Sequence, residues 1–501
     1  MSGVAGALFP HLSARNRAPL RAGLVLLLVG LVAFAMMRIV PVMLAIAVLG
    51  PPVLFGIYLV GARVVRDLPR FWLPLTAAAG AALGVGWGRV AARLVGTGFG
   101  LPTPLAGPNY GAGVAVAVAG AVLMVVPAMV ARCLPTSSRE ALDGFAIGVA
   151  GALVFASGAT LTRLARQFHS GVIPSTRPWS SIAVEAGLCG VAIPLTAAAT
   201  GGVIGLALWQ QPPAGRGSGA RVALLSLCAG LLAIHAVVGG IDAAGLPQMV
   251  MLALHLALSV AALLALRTAI QVSRLDDTTR PLRRPSFVPV LGWWTVVIAA
   301  AAGVSVAVTQ ALTIPASPYL CPPQCGRPPH AAPVSVLPRF GPADDSFSVA
   351  YPAPGSAYDI TTGERAVTAR FTAGDGGVMQ MFSEPAEGRT PREIVLSALR
   401  KAYPDAAVAY EIPNAMVGYQ RGFGVAADDW PQSSLAGYRR IRLLVLGAVK
   451  DDLALISFAV GPERAFRPGF GPGPPSGANL ELAMDMGKYV NSFRWRGDPP
   501  R

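Results

Sequence analysis

The stretch "LDGFAIGVAGALVFASGATL", residues 142–161, decides how the rest of the chain is read. Its twenty residues are apolar enough, and just long enough, to cross a bilayer as a helix. It nevertheless opens with Asp143 and carries Gly144, Gly148, Gly151 and Gly158. Those glycines lie 4, 7 and 14 residues beyond the first, which places them on one helical face. A face without side chains lets a neighbouring helix approach closely, which matters in lipid because no hydrophobic drive pulls helices together there. A packing face is therefore the first expectation. An acid in a helix's first turn complements the helix dipole, so Asp143, with Glu140 just before it, has a plain structural reading.

The surrounding sequence supports a membrane assignment. The 501 residues are 53% hydrophobic and only 13% charged, against about 25% charged in soluble proteins. Nine apolar segments are legible, near 22–37, 39–61, 71–88, 112–131, 141–162, 182–210, 222–241, 247–266 and 288–314. The net charge of +15 is concentrated in the first 315 residues, which hold 21 Arg, no Lys and seven acids. Fifteen of those arginines fall in loops on the side of the N-terminus and six on the other, the latter being Arg38, Arg89, Arg93, Arg163, Arg166 and Arg177. The positive-inside rule then puts the N-terminus in the cytoplasm of a multi-pass plasma-membrane protein and, with nine spans, the C-terminus outside. The basic balance reflects loops beside a lipid bilayer and not a nucleic-acid surface.

The expected fold is a polytopic α-helical membrane domain of about nine spans followed by an extracytoplasmic antiparallel α+β domain. A basic cytoplasmic tail covers 1–21, the helical domain 22–315, a proline-rich linker 316–345 and the outer domain 346–501. In that last part, alternating segments such as "SFSVAYP" and "GVMQMFS" read as strands, and "RRIRLLVLGAV" with "LALISFAVG" reads as a hairpin turning at 450–452. "TPREIVLSALRKAY" (390–403) reads as a helix with Thr390 as N-cap, Glu393 at the capping-box position and Ile394, Val395, Leu399 and Tyr403 on one stripe. "NLELAMDMGKYVNSF" (479–493) reads as a second. The closing helix followed by "SFRW" resembles the PsbP-like sandwich.

In the helical part, the order of features resembles the PrsW-type intramembrane metalloproteases over roughly residues 40–280. That family has a Glu-Glu pair at a helix end, then a helix opening with Asp-Gly and containing Phe-Ala-x-x-Glu, then two helices with His motifs. Asp143, Gly144, Gly148, Phe155 and Ala156 match the second element, and "HAVVGGID" (235–242) keeps the last His as His235. The resemblance implies zinc and intramembrane proteolysis, but the catalytic positions are altered. The family's Glu falls on Ala159, no acid lies between Asp67 and Glu140, "CGVAIPLTAAATGG" (189–202) lacks a His, and Gly239 stands four residues after His235. Metal-assisted hydrolysis needs about three protein ligands and a carboxylate base. His235, Asp242 and His255 do not supply that set, so no cofactor is expected, with zinc belonging only to the alternative of an active protease. A transporter is the third reading, disfavoured by the absence of a buried charge relay or an inverted repeat.

Other residues stand out singly. Cys321 and Cys325, flanking a Pro-Pro pair, are expected to form a local disulfide outside the cytoplasm. Glu185 opens the sixth span as Asp143 does the fifth. In the outer domain, "YEIPNAMVGYQRGFGVAADDWPQ" (410–432) offers Tyr419, Phe423 and Trp430 with Asp428 and Asp429 as a recognition loop for a protein or small-ligand partner. A packed hairpin with a structural Trp is the competing reading. Residues 346–501 contain no His or Cys, which leaves no imidazole or thiol chemistry there.

Overall fold

A computed structural model describes residues 14–62, 71–98, 101–105, 107–133, 141–168, 177–210, 219–274, 336–353, 358–371, 377–435, 440–462 and 486–499. Two compact units emerge. The helical unit comprises residues up to Val95, Asn109–Thr313 and Gln432–Tyr438, and the sheet unit Gly96–Pro108, Ile314–Pro431 and Arg439–Arg501. Cys321 and Cys325, the span near 288–314 and Glu140 lie outside the described residues.

The helical unit begins with α1 (Ala14–Met36) and α2 (Val40–Ala62). Arg38, at φ 57°, makes the turn between them in the left-handed region. Pro51 and Pro52 do not break α2, which runs through both. Then follow α3 (Trp72–Gly98), α4 (Tyr110–Cys133) and α5 (Ala141–Leu164). Next, α6 (Trp179–Gly187) passes through one π-helical turn, Leu188–Ala192, into α7 (Ile193–Trp209). Finally, α8 (Gly219–Ala243) and α9 (Gln248–Arg274) complete the unit. Among the described residues, seven helical segments are long and apolar enough to cross a membrane, counting Trp179–Trp209 as one. The glycine- and alanine-rich α3, which carries Arg89 and Arg93, is not among the seven.

The opening stretch is α5, and its membrane-length window is buried throughout. The four glycines do not serve one partner, contrary to the single face expected. A Cβ on Gly144 would lie 2.4 Å from the carbonyl oxygen of Gly205, and one on Gly148 would lie 2.1 Å from that of Gly201. The relation is mutual, with Gly205 and Gly201 meeting the Gly144 and Gly148 oxygens at 2.0 and 2.3 Å. Gly151 faces Pro127 of α4, and Gly158 faces Ala81 and Val85 of α3. Because α5 is enclosed on every side, each glycine admits whichever helix crosses at its level. The chief partner is therefore α7 and not the His-bearing α8 or α9.

Helix α3 supplies the reciprocal pattern. Cβ atoms on Gly80, Gly84 and Gly88 would fall 2.4, 2.2 and 2.8 Å from the oxygens of Gly151, Phe155 and Ala159. The pairing of Gly113 on α4 with Gly239 on α8 repeats the device at 2.3 Å each way. Backbones this close gain dispersion contacts and weak Cα–H···O interactions that bulkier residues would prevent.

The sheet unit contains a seven-strand antiparallel path, β3 (Tyr358–Thr362), β4 (Ala366–Phe371), β5 (Val378–Pro385), β10 (Leu453–Pro462), β9 (Ile441–Lys450), β8 (Gln420–Asp429) and β6 (Ala407–Ile412), with β7 (Met416–Val417) attached to β8. A smaller sheet pairs β1 (Arg339–Phe340), β2 (Phe347–Ala350) and β11 (Arg494–Trp495). Alternation along β10 sends Ala454, Ile456 and Phe458 to one face and Leu455 and Ala459 to the other. The first face is covered by α10 (Pro391–Ala402), which buries Ile394, Val395, Leu399 and Tyr403. Thr390 and Glu393 close the capping box that starts it. The second face takes Met486, Tyr489 and Val490 from the closing helix with Phe493 and Trp495. Of the second expected helix (479–493), residues 486–490 are helical and lie on the face opposite α10, while 479–485 lie outside the described residues. Leu101, from the α3–α4 connection, packs into the α10 face.

Substituting Gly148→Leu should abolish the folded helical unit, because the obstruction is a backbone oxygen that cannot rotate away. Gly86→Ala, on α3 where a Cβ meets nothing within 4 Å, should be tolerated. Yield of monodisperse detergent-solubilised protein distinguishes them.

Candidate functional site

A cavity of about 110 Å³ lies inside the helical unit. Small residues from α3, α4 and α5, including Gly88, Gly120, Ala156 and Ala159, form much of its wall, as close glycine packing would leave it. His235 of α8 and His255 of α9 also line it, with Thr196 of α7 and Arg163 of α5. Ala159 and His235, seventy-six residues apart, therefore face the same space. No Asp or Glu is among the described residues that line it.

The polar groups here are tied to one another, as lipid requires. The His235 Nε2 lies 3.1 Å from Thr200 Oγ1, whose hydroxyl donates to the Thr196 carbonyl at 2.8 Å. The Thr196 hydroxyl meets Ser259 Oγ at 2.9 Å, and both hydroxyls reach the carbonyl of Ala192, the last residue of the π-helical turn. Helices α7, α8 and α9 are thereby cross-linked through hydroxyls and one imidazole. The π-helical turn Leu188–Ala192 immediately precedes Pro194, Thr196 and Thr200 in α7. From the stretch 189–202, Thr196 thus presents its hydroxyl to the cavity and Thr200 meets His235.

His255 is committed differently. Its Nε2 lies 3.0 Å from Asp242 Oδ1, with both side chains almost fully buried. Glu185 and Arg177 form a second buried pair at 2.9 Å, each fully enclosed, and Gln167 donates to the same carboxylate. The Arg177 guanidinium also bonds Ser181 Oγ, and Arg38 donates to the Arg177 carbonyl while lying over the Trp179 ring at 4.3 Å. Arg177 and Arg163 are thus structural members of the bundle and not simple loop charges. Asp143 is buried in the first turn of α5. Among the described residues, no three His, Cys, Asp or Glu side chains gather as a metal site. His235 stands as one imidazole beside hydroxyls, and His255 is engaged by Asp242, so the cavity's residues do not fit a catalytic zinc.

The stretch expected to form a recognition loop is largely strand within the sheet unit. Residues 420–429 form the ten-residue strand β8, paired to β9 on one side and β6 on the other. Phe423 and Trp430 are buried in the sheet unit. Asp428 pairs with Arg442 at 2.8 Å and with Arg440 at 3.2 Å, the former directly opposite it in the β8–β9 register. Of the five candidates Tyr419, Phe423, Asp428, Asp429 and Trp430, only Tyr419 is well exposed, at 61%. It shares with Gly418 the two-residue turn joining β7 to β8, both at positive φ as a type I′ hairpin demands. The aromatic spacing serves a core and a tight turn.

No family model and no curated protein matches the chain. A crystal structure from Bacteroides thetaiotaomicron VPI-5482 at 1.50 Å resolution is similar over 32% of this chain at 12% identity, with a TM-score of 0.21. This chain covers 49% of that protein's length. A likeness so slight carries no argument about fold or function.

Asp429 offers a titration test within the sheet unit. Burial drives its pKa from 3.8 up to about 7, opposed by the hydrogen bond its carboxylate accepts from the Trp430 backbone and assisted by the charge of Asp405. The folded state therefore holds the proton more tightly than the unfolded chain. Stability is highest below the unfolded value and falls as pH rises toward 7, by up to ~1.4 kcal/mol for each pH unit crossed between the two. Asp429→Asn should raise the unfolding temperature of the sheet unit at pH 8 and change it little near pH 4. An equal effect at both pH values would refute a protonated Asp429.

Proposed function

We propose that this chain is a plasma-membrane protein whose helical domain is a PrsW-like scaffold without proteolytic chemistry, displaying an extracytoplasmic binding domain. The observation that carries the reading is the shared cavity of Ala159 and His235. The resemblance puts the family's Glu and a metal-binding His at those two positions, and their meeting across 76 residues of sequence is what a common ancestral site would leave. The chemistry around them speaks against hydrolysis. The methyl of Ala159 replaces the acid, Thr200 occupies the imidazole's hydrogen bond, and His255 is engaged by Asp242. A zinc-bound water would lack both a full ligand set and a carboxylate to take its proton.

In this reading nine spans cross the membrane, with the N-terminus inside and the sheet domain outside. The fifteen-to-six division of arginines supports that orientation. So do the ion pair of Arg177 and the bundle contacts of Arg163, which withdraw two charges from the sparser side. The partner of the outer domain is a protein or small ligand and not a nucleic acid.

Purified full-length protein should hold less than about a tenth of an equivalent of zinc, far below the full occupancy a catalytic site demands, and leave membrane-embedded peptides uncut. A cytosol-only reporter fused after Arg501 should be inactive. Stoichiometric zinc that disappears with His235→Ala, together with zinc-dependent cleavage, would establish the active protease instead.

A further inference from the structure

Gln432–Tyr438 lies in sequence between β8 and β9, yet it belongs to the helical unit. Its described part, Gln432–Leu435, meets the bundle where α5 and α8 end. The contacts are unusual in kind. Arg163 gives one guanidinium nitrogen to two successive backbone oxygens, those of Ser433 and Ser434. Asp242 Oδ2 accepts the Ser434 N–H at 2.9 Å and the hydroxyls of both serines, that of Ser433 at 3.2 Å. The other oxygen, Oδ1, is held by His255. Arg163 is itself steadied within α5, donating to Ala159 O and to Thr160 Oγ1 at 3.1 Å.

We infer that Arg163, Asp242 and His255 form a clamp for an extended polypeptide segment, and that Ser433–Ser434 of the same chain is its resident ligand. A guanidinium beside a carboxylate matches the C=O and N–H groups of a peptide, because one only donates and the other only accepts. The two hydroxyls satisfy acceptor capacity on Asp242 that a peptide N–H alone would leave open. They select Ser or Thr at consecutive positions. An acidic residue at either place would meet the Asp242 carboxylate in a buried setting and be rejected. The following residue, Leu435, lines the cavity together with Ser434, which adds a preference for an aliphatic side chain there. His255 positions the carboxylate so that one oxygen is committed to the bundle and the other is presented to the peptide.

The site does not depend on whether the helical domain ever cleaved peptides, since none of its three residues is asked to react. Its ligand class is a neutral, hydroxyl-bearing peptide strand. The bundle thereby holds Ser433–Ser434 by the backbone, and a similar strand from another protein would compete for the same groups.

The test uses the full chain in detergent micelles. Hydrogen exchange at the Ser434 amide should be slow in the native protein and at least tenfold faster in Asp242→Asn and in the double variant Ser433→Ala, Ser434→Ala. The second change leaves every helix residue intact and so guards against global unfolding. In addition, Ser434→Pro, which lacks the donated N–H, should free the clamp for a fluorescent Gln-Ser-Ser-Leu peptide. That peptide should bind this variant, bind the native chain at least tenfold more weakly, and lose binding when Asp242→Asn is added. Equal exchange at residue 434 in all forms, or peptide binding indifferent to Asp242, would overturn the inference.

Discussion

Much of the helical unit depends on backbones that touch. Lipid offers no hydrophobic reward for bringing two apolar helices together, so stability must come from closeness of fit. The reciprocal pairs Gly144–Gly205 and Gly148–Gly201 seat α5 against α7 with each helix's oxygens in the space a side chain would fill. On its other side, Gly80, Gly84 and Gly88 of α3 rest over successive α5 oxygens. With a neighbour fixed at backbone distance on two sides, α5 becomes the axis of the unit, and the cavity beside Ala159 lies between helices positioned by these contacts.

The same solvent dictates how the polar residues behave. A titratable group within the bundle needs a partner, and the pairs Arg177–Glu185 and Asp242–His255 supply them. Threonine and serine hydroxyls on α7 and α9 return to carbonyls one turn earlier in their own helices while also joining those helices to each other. The cavity wall is consequently rich in satisfied hydroxyls and poor in free acid–base groups.

Signals in the sequence are readable where they act locally. Thr390 and Glu393 announce the start of α10, and the Lys-Asp-Asp turn at 450–452 announces the β9–β10 hairpin, because caps and turns are decided within a few residues. The glycines of α5 are visible as a packing face, but their partners are not. Spacing on one helix does not say which neighbour crosses at which level, although Gly80, Gly84 and Gly88 carry the same four-residue signal. Strand β8 resembles a loop in sequence because both its faces are covered, so no alternation marks it, and because Asp428 finds its arginines on the next strand. Arg163 resembles a loop charge for a similar reason, since the carbonyls it holds lie about 270 residues away. Partners distant in sequence leave no local trace.

The central claim is that α5 and α7 are joined by mutual glycine contact at one interface, and a double-mutant cycle measures it most directly. Gly148→Ala and Gly201→Ala each place a methyl against the opposite backbone, and either one alone would separate the helices. Thermal stability of the full-length protein in detergent should therefore fall sharply with each single change and only slightly further with both, a strongly non-additive result. Losses that simply add would mean the two glycines act at independent sites and would contradict the account.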